Sequence, residues 1–189
     1  LAPTRSAARG LIMAGLVLVA GTVTDKAGTA VADDAQITLK ERPRHASRAG
    51  DKLAYAIDVL GVNVHGVSAL DVGASTGGFV DCLLQRGAHR VIAVDVGRGQ
   101  LDSRLANDAR VHVIDRVNAR YLTRAQLPYE PDFLTMDVSF ISIAKVLPAV
   151  VACLGARFEG LVLVKPQFEA GRAAVGKGGI VRESMVHRE

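Results

Sequence analysis

The chain has 189 residues, 49% of them hydrophobic and 22% charged, with a net charge of +4 and a pI near 9.3. That composition excludes a disordered or fibrous protein and leaves room for one ordinary domain with a small appendage. The positive excess suits a polyanionic partner without naming one, and the isolated Cys82 and Cys153 lack the paired spacing of zinc or redox sites, so free thiols in a reducing, cytoplasmic compartment are expected.

In chain order, Thr4 to Ala14 read as a helix with Arg5 and Arg9 on one face, stopped by Gly15. Leu16–Val19 and Gln36–Leu39 read as strands, with Lys26 in a turn between them. The apolar stretch from Gly10 to Ala20 is far shorter than the roughly 20 residues a membrane span needs, and no cleavage pattern follows it, so no membrane association is expected. A start at leucine points to a missing N-terminal segment. Residues 41–47 lie in a stretch dense in Lys and Arg, with Pro43, which reads as a linker between a domain over 1–40 and a larger one over 48–189.

The larger domain opens with a helix over Ser47 to Leu60, where Leu53, Ala56, Ile57 and Leu60 share a face and Lys52 lies near the start. Apolar runs at about 67–72, 90–95, 110–114, 132–137 and 160–165 alternate with helical stretches at about 78–86, 99–106 and 143–154. The alternation predicts an α/β fold with a doubly wound, largely parallel sheet, whose ligands bind at the C-terminal ends of the strands.

Two loops at those ends carry the cofactor signal. Leu70-Asp71-Val72-Gly73-Ala74-Ser75-Thr76-Gly77-Gly78-Phe79 is a strand running through an acid into a glycine-rich turn and a helix, a place where backbone approaches a ligand closely. The next strand delivers Asp95 to the same edge, placed to hold ribose hydroxyls. NAD and S-adenosylmethionine both carry that ribose. The dinucleotide fingerprint Gly-x-Gly-x-x-Gly is broken here by Ser75, which favours S-adenosylmethionine. Lys165 follows four apolar residues and is costly to bury alone, so pairing with Asp137 from the neighbouring strand is expected. A glycine turn that only packs a helix, and a purely structural ion pair, are the bland alternatives.

The segments DVGASTGGF, VDVGRGQL, DVSFIS, LVKPQFE and VGKGGIVR, in that order, resemble the TlyA family of ribosomal RNA 2′-O-methyltransferases. That family is similar in its catalytic domain to the FtsJ-type ribose methyltransferases and joins it to a small RNA-binding domain first described in a ribosomal protein; some members have been called hemolysins. The resemblance implies a Rossmann-like methyltransferase sheet preceded by a partial α+β RNA-binding domain. It implies methyl transfer from S-adenosylmethionine to the 2′-hydroxyl of cytidines in ribosomal RNA, on free RNA or ribosomal subunits, without a metal. Of its Lys-Asp-Lys-Glu tetrad, Lys52, Asp137 and Lys165 match the first three members. Lys165 is expected to stabilise or deprotonate the hydroxyl, Asp137 to orient that lysine and Lys52 to help position the oxygen. Gly73, Ser75, Thr76 and Gly77 are expected around the methionine portion of the cofactor, Asp95 on its ribose, and Asp115 and Asn118 on the adenine edge, with Asp71 also among the cofactor-binding residues. Arg5, Arg9 and Lys26 are expected to contact RNA phosphates. The tetrad's glutamate is expected beyond Glu189, since Glu169, Glu183 and Glu189 do not suit the role, so weak or no methyl transfer is expected from this chain. A non-catalytic RNA-binding protein and a membrane-active hemolysin are the competing readings.

Overall fold

The computed structural model describes residues 1–2, 5–40, 44–170, 175–176 and 181; Lys177, Glu183 and Glu189 lie outside the described residues. The chain divides into two units, Leu1–Pro43 and Arg44–Glu189.

In the first unit, α1 (Arg5–Met13) is followed by β1 (Val17–Val19), β2 (Thr22–Thr24) and β3 (Ile37–Leu39), which form an antiparallel sheet in the order β2-β1-β3. Gly15 adopts φ +65° directly after the helix and its N–H bonds to Ile12, which turns the chain into β1. Ala20 and Gly21, both at positive φ, make the two-residue link that pairs Val19 with Thr22.

The second unit begins with α2 (Arg48–Leu60), whose N-terminus is capped by Ser47 and whose C-terminus ends at Gly61 in the left-handed conformation. Then follow β4 (Ser68–Val72), α3 (Gly78–Gln85), β5 (Arg90–Val94), α4 (Ser103–Ala106), β6 (Val111–Ile114), β7 (Phe133–Met136), α5 (Leu147–Val151), β8 (Glu159–Val162) and α6 (Pro166–Glu169). The strands form a parallel sheet in the order β6-β5-β4-β7-β8. This is the expected α/β architecture. The chain winds outward from β4 through β5 to β6, then returns to set β7 on the other side of β4, so the order reverses beside β4. Such a reversal opens a crevice at the C-terminal strand ends, where the loops after β4, β5 and β7 meet.

Strand alternation assigns the core. Ala69, Val91 and Phe133 face α2 and α3 and pack with Leu53, Ile57, Phe79 and Leu83, while Leu70, Val72, Ile92, Leu134 and Met136 pack on the opposite face with Val146 and Val150. Asp71 and Thr135 are register partners on the α3 face, so the same alternation buries a carboxyl there.

Three elements differ from the sequence expectation. The helix expected over 99–106 is only Ser103–Ala106, because Asp102 caps it and the preceding Gly97–Gly99 stretch is a loop. The stretch at 143–154 splits into a 3₁₀ turn, Ile143–Lys145, and α5, with Pro148 in the first turn of the second piece. The last strand stops at Val162, and Lys165 instead occupies the position just before α6, because Pro166 holds the preceding residue extended and starts a new helix. Among the described residues no helix is long and apolar enough to cross a membrane. Cys82 and Cys153 are both free and buried.

Candidate active site

The loop after β4 is drawn tightly over the sheet edge. Gly73 adopts φ +84°, and a Cβ there would stand 2.7 Å from the carbonyl oxygen of Asp137, so only glycine lets the loops after β4 and β7 touch. Ser75 is held at φ +48° and its N–H donates to Asp95 Oδ2 at 2.8 Å. Asp95 Oδ1 accepts the N–H of Gly97 at 2.7 Å. One carboxylate therefore ties the loops after β4 and β5 together and keeps lone pairs free toward the space between them.

That space is a cavity of about 360 Å³ lined by Gly73, Ser75, Asp95, Gln100, Asn118 and Phe140, among others. Asn118 uses its side-chain oxygen to cap the turn at Ala119–Tyr121, bonding Arg120 N at 3.1 Å, which leaves its amide N–H groups for a ligand. Asp115 does not line this cavity; its Oδ2 accepts the N–H of Gly99 at 2.7 Å and so steadies the loop after β5. Gly77 faces the other way, at φ +93°, where a Cβ would meet Leu101 Cδ1 at 2.7 Å, which makes it a packing glycine at the start of α3.

A second cavity of about 180 Å³ adjoins the first and shares Gly73, Ser75, Asp137 and Ser139 with it. Thr76, Ser47 and Lys165 complete its polar lining. Lys165 Nζ lies 2.5 Å from Asp137 Oδ1 and donates its directed hydrogen bond to Ser139 Oγ at 2.7 Å. The two charged side chains are only 19% and 15% exposed, so the pair sits partly shielded from water, with Asp137 lining both cavities and Lys165 the smaller one. Lys52 is apart from them: it is exposed on α2 and lines a third, largely apolar cavity with Leu53, Leu161 and Leu163, which shares Phe79 with the second.

Asp71 lines neither of the two polar cavities. It is buried, accepts the hydroxyl of Thr135 at 2.7 Å on Oδ1, and has no hydrogen-bond partner on Oδ2 among the described residues. Burial pushes its carboxyl up to about 7, against the pull of the Thr135 hydrogen bond and with a further push from Asp137 and Asp95.

Sequence reasoning misses Ser139, Phe140 and Gln100. Ser139 is within its reach, since residues two apart in extended chain point to one side and Asp137 is already a candidate. Phe140 is not: it adopts φ +64° and is 92% exposed at the rim of the first cavity, an arrangement no apolar pattern announces. In the N-terminal unit, Arg5, Arg9 and Lys26 converge on one open concavity with Ile12, Met13 and Asp25. Among the described residues no three metal-ligating side chains cluster.

A parallel sheet with a glycine loop, an acid at the end of the next strand and a reversal of strand order defines a Rossmann-like protein with a nucleotide-cofactor crevice. Residues 45–189 match the FtsJ-like methyltransferase family and residues 1–37 match the S4 domain. The chain belongs to the FtsJ-like methyltransferase family and is an S-adenosylmethionine-dependent methyltransferase. It is 46% identical over 191 residues to the "Putative rRNA methyltransferase YqxC" of Bacillus subtilis, covering 100% of this chain and 68% of the relative. It is 45% identical over 188 residues to the "16S/23S rRNA (cytidine-2'-O)-methyltransferase TlyA" of Mycobacterium tuberculosis, covering 98% and 70%. A solved structure named "Putative hemolysin from Streptococcus thermophilus" superimposes with a TM-score of 0.76 at 44% identity, over 97% of this chain and 68% of the other.

Proposed function

We propose that this chain methylates the ribose 2′-hydroxyl of cytidine in ribosomal RNA. The observation that carries the reading is the wall that Asp137 and Ser139 share between the two cavities, from which they hold Lys165 in the smaller polar one beside a nucleoside-sized space. The larger cavity fits the cofactor: Asp95 has lone pairs to spare for ribose hydroxyls, Asn118 has free amide donors, and the cradle at Gly73 and Ser75 lets a ligand lie against backbone. When bound there, S-adenosylmethionine supplies an activated methyl group on a positively charged sulfur.

The remaining chemistry falls to the protein. A ribose hydroxyl entering the smaller cavity meets the Lys165 ammonium, which Asp137 and Ser139 fix in place before any substrate arrives. A cation held there favours negative charge developing on the hydroxyl oxygen, whose proton passes to the Asp137 carboxylate lining the same cavity, and it costs no reorganisation at the moment of reaction. Ser47 and Thr76 line the same cavity and offer it polar groups that favour one orientation of the hydroxyl. Lys52, exposed one cavity away, is assigned to the RNA strand beside the reacting ribose. Phe140, open to solvent at the rim, offers a face on which an unstacked base can lie. Arg5, Arg9 and Lys26 are assigned to RNA phosphates, and the small unit thereby supplies affinity while the large one supplies chemistry.

The test is transfer of radiolabelled methyl from S-adenosylmethionine to ribosomal RNA, followed by alkaline hydrolysis, which cannot cut beside a 2′-O-methyl group. Label in alkali-resistant cytidine dinucleotides is the expected result. Label in single nucleotides would place the methyl on a base and overturn the ribose assignment, and RNA binding without any binding of S-adenosylmethionine would favour a non-catalytic RNA-binding role.

A further inference from the structure

The loop after β7 and the turn after β8 are braced at three successive places, and the outermost brace belongs to neither the cofactor cavity nor the lysine pair. Lys165, at the N-terminus of α6, holds Asp137 and Ser139. Phe168, inside α6, packs its ring on Phe140, with centroids 5.4 Å apart and planes at 48°. Glu169, at the end of α6, takes two hydrogen bonds: Ser142 Oγ donates to Oε2 at 2.6 Å and Ile143 N donates to Oε1 at 2.9 Å. Both carboxylate oxygens are used, so the orientation of the group is fixed as well as its position.

The middle brace cannot hold itself. Phe140 has a left-handed backbone, which is costly for a residue with a large side chain, and its ring is almost wholly solvent-exposed, so little burial compensates. Such a conformation persists only when its neighbours over-determine it. On one side that neighbour is Ser139, bound to Lys165; on the other it is Ser142, whose hydroxyl also caps the following turn by accepting Ala144 N at 3.2 Å. Glu169 is the group outside the turn that anchors this second end.

We infer that Glu169 is a positioning residue for methyl transfer, holding the strained Ser139–Phe140 segment in register with Lys165. This rests on the methyltransferase reading for its effect on rate, though not for its effect on the loop. The carboxylate touches neither polar cavity, so it acts through Ser142 and Phe140.

The chain contains no tryptophan, so Phe140→Trp gives a single fluorescent reporter in the segment itself. Added to that reporter chain, Glu169→Ala is expected to lower the tryptophan anisotropy, and Glu169→Gln, which keeps an acceptor for Ile143 N and a donor for Ser142 Oγ, is expected to preserve it. In the chain without the reporter, Glu169→Ala is expected to lower kcat about tenfold while the affinity for S-adenosylmethionine stays within about threefold, with Gln restoring most of the rate. Unchanged anisotropy in Glu169→Ala, or equal losses in the Ala and Gln variants, would overturn the inference. Should the unsubstituted chain transfer no methyl at all, the anisotropy series alone decides whether Glu169 holds the loop, and binding of S-adenosylmethionine, measured separately, decides the methyltransferase reading.

Discussion

Lys165 and Asp137 follow neighbouring parallel strands and meet just past the strand ends, ammonium to carboxylate at 2.5 Å, with Ser139 taking the lysine's directed hydrogen bond. Because the carboxylate is only 15% exposed, it cannot turn to water if its partner is removed. Lys165→Ala is expected to lower kcat by about 10²–10³-fold, the usual loss for removing one preorganised group that stabilises developing charge. Affinity for S-adenosylmethionine is expected to change little, which calorimetry measures separately from methyl transfer. A variant with near-normal kcat would remove Lys165 from the mechanism.

Asp95 joins the loops after β4 and β5, since it accepts N–H groups from Ser75 and Gly97. Asp95→Ala leaves both donors unmatched and releases Ser75 from its left-handed backbone. Affinity for S-adenosylmethionine is expected to fall about 10- to 100-fold, the cost of losing hydrogen bonds to a charged group. Asp95→Asn keeps one acceptor oxygen and is expected to lose less. Equal binding by the Ala variant and the unsubstituted chain would move the cofactor elsewhere.

Asp71 makes stability depend on pH. Its carboxyl titrates at 3.8 when unfolded and at about 7 when buried beside Thr135. Below the lower value both states hold the proton and nothing is lost. As pH rises from there toward 7, the unfolded chain gives up its proton first, so stability falls, and above pH 7 the loss stays constant. The ceiling on that loss is about 4 kcal/mol. Asp71→Asn keeps an acceptor for the Thr135 hydroxyl and removes the titration, so it is expected to gain about 1–3 kcal/mol at pH 8 and almost nothing at pH 4. Urea denaturation at the two pH values measures this, and a variant with no greater gain at pH 8 would show that burial does not set the carboxyl's titration.

Much of this arrangement is legible in the sequence, because its strongest signals are local. Apolar runs four to six residues long mark β4, β5 and β7 to within a residue or two, and the acids and glycines that close them fall at the sheet edge by topology alone. What the pattern cannot carry is the pairing of distant segments. Glu169 reaches Ser142, and Phe168 reaches Phe140, across the loops after β8 and β7, and neither pairing leaves a periodicity behind. The apolar run before Lys165 reads as a strand ending at that lysine, yet Val164 is 56% exposed and the chain has already left the sheet. Resemblance to a family tetrad groups Lys52 with the lysine pair, whereas the helix phase directs it to a separate cavity beside Leu53.

The N-terminal unit carries a prediction that separates affinity from chemistry. Arg5 and Arg9 stand on one face of α1 and Lys26 lies on the loop opposite, all three around one concavity and none engaged in an ion pair among the described residues. Unpaired cations grouped in this way attract phosphate by releasing condensed counterions, so their contribution is read from salt dependence. Replacing all three by alanine is expected to weaken RNA binding and to flatten the slope of log K against log salt by about 0.7–0.9 for each phosphate no longer neutralised. Asp25 lines the same concavity and opposes phosphate, so Asp25→Asn is expected to strengthen binding modestly, a change of opposite sign that a general unfolding of the unit would not produce. Neither change is expected to alter the affinity for S-adenosylmethionine. A triple variant with an unaltered salt slope would place the RNA on another surface, leaving the cofactor and lysine assignments of the large unit standing.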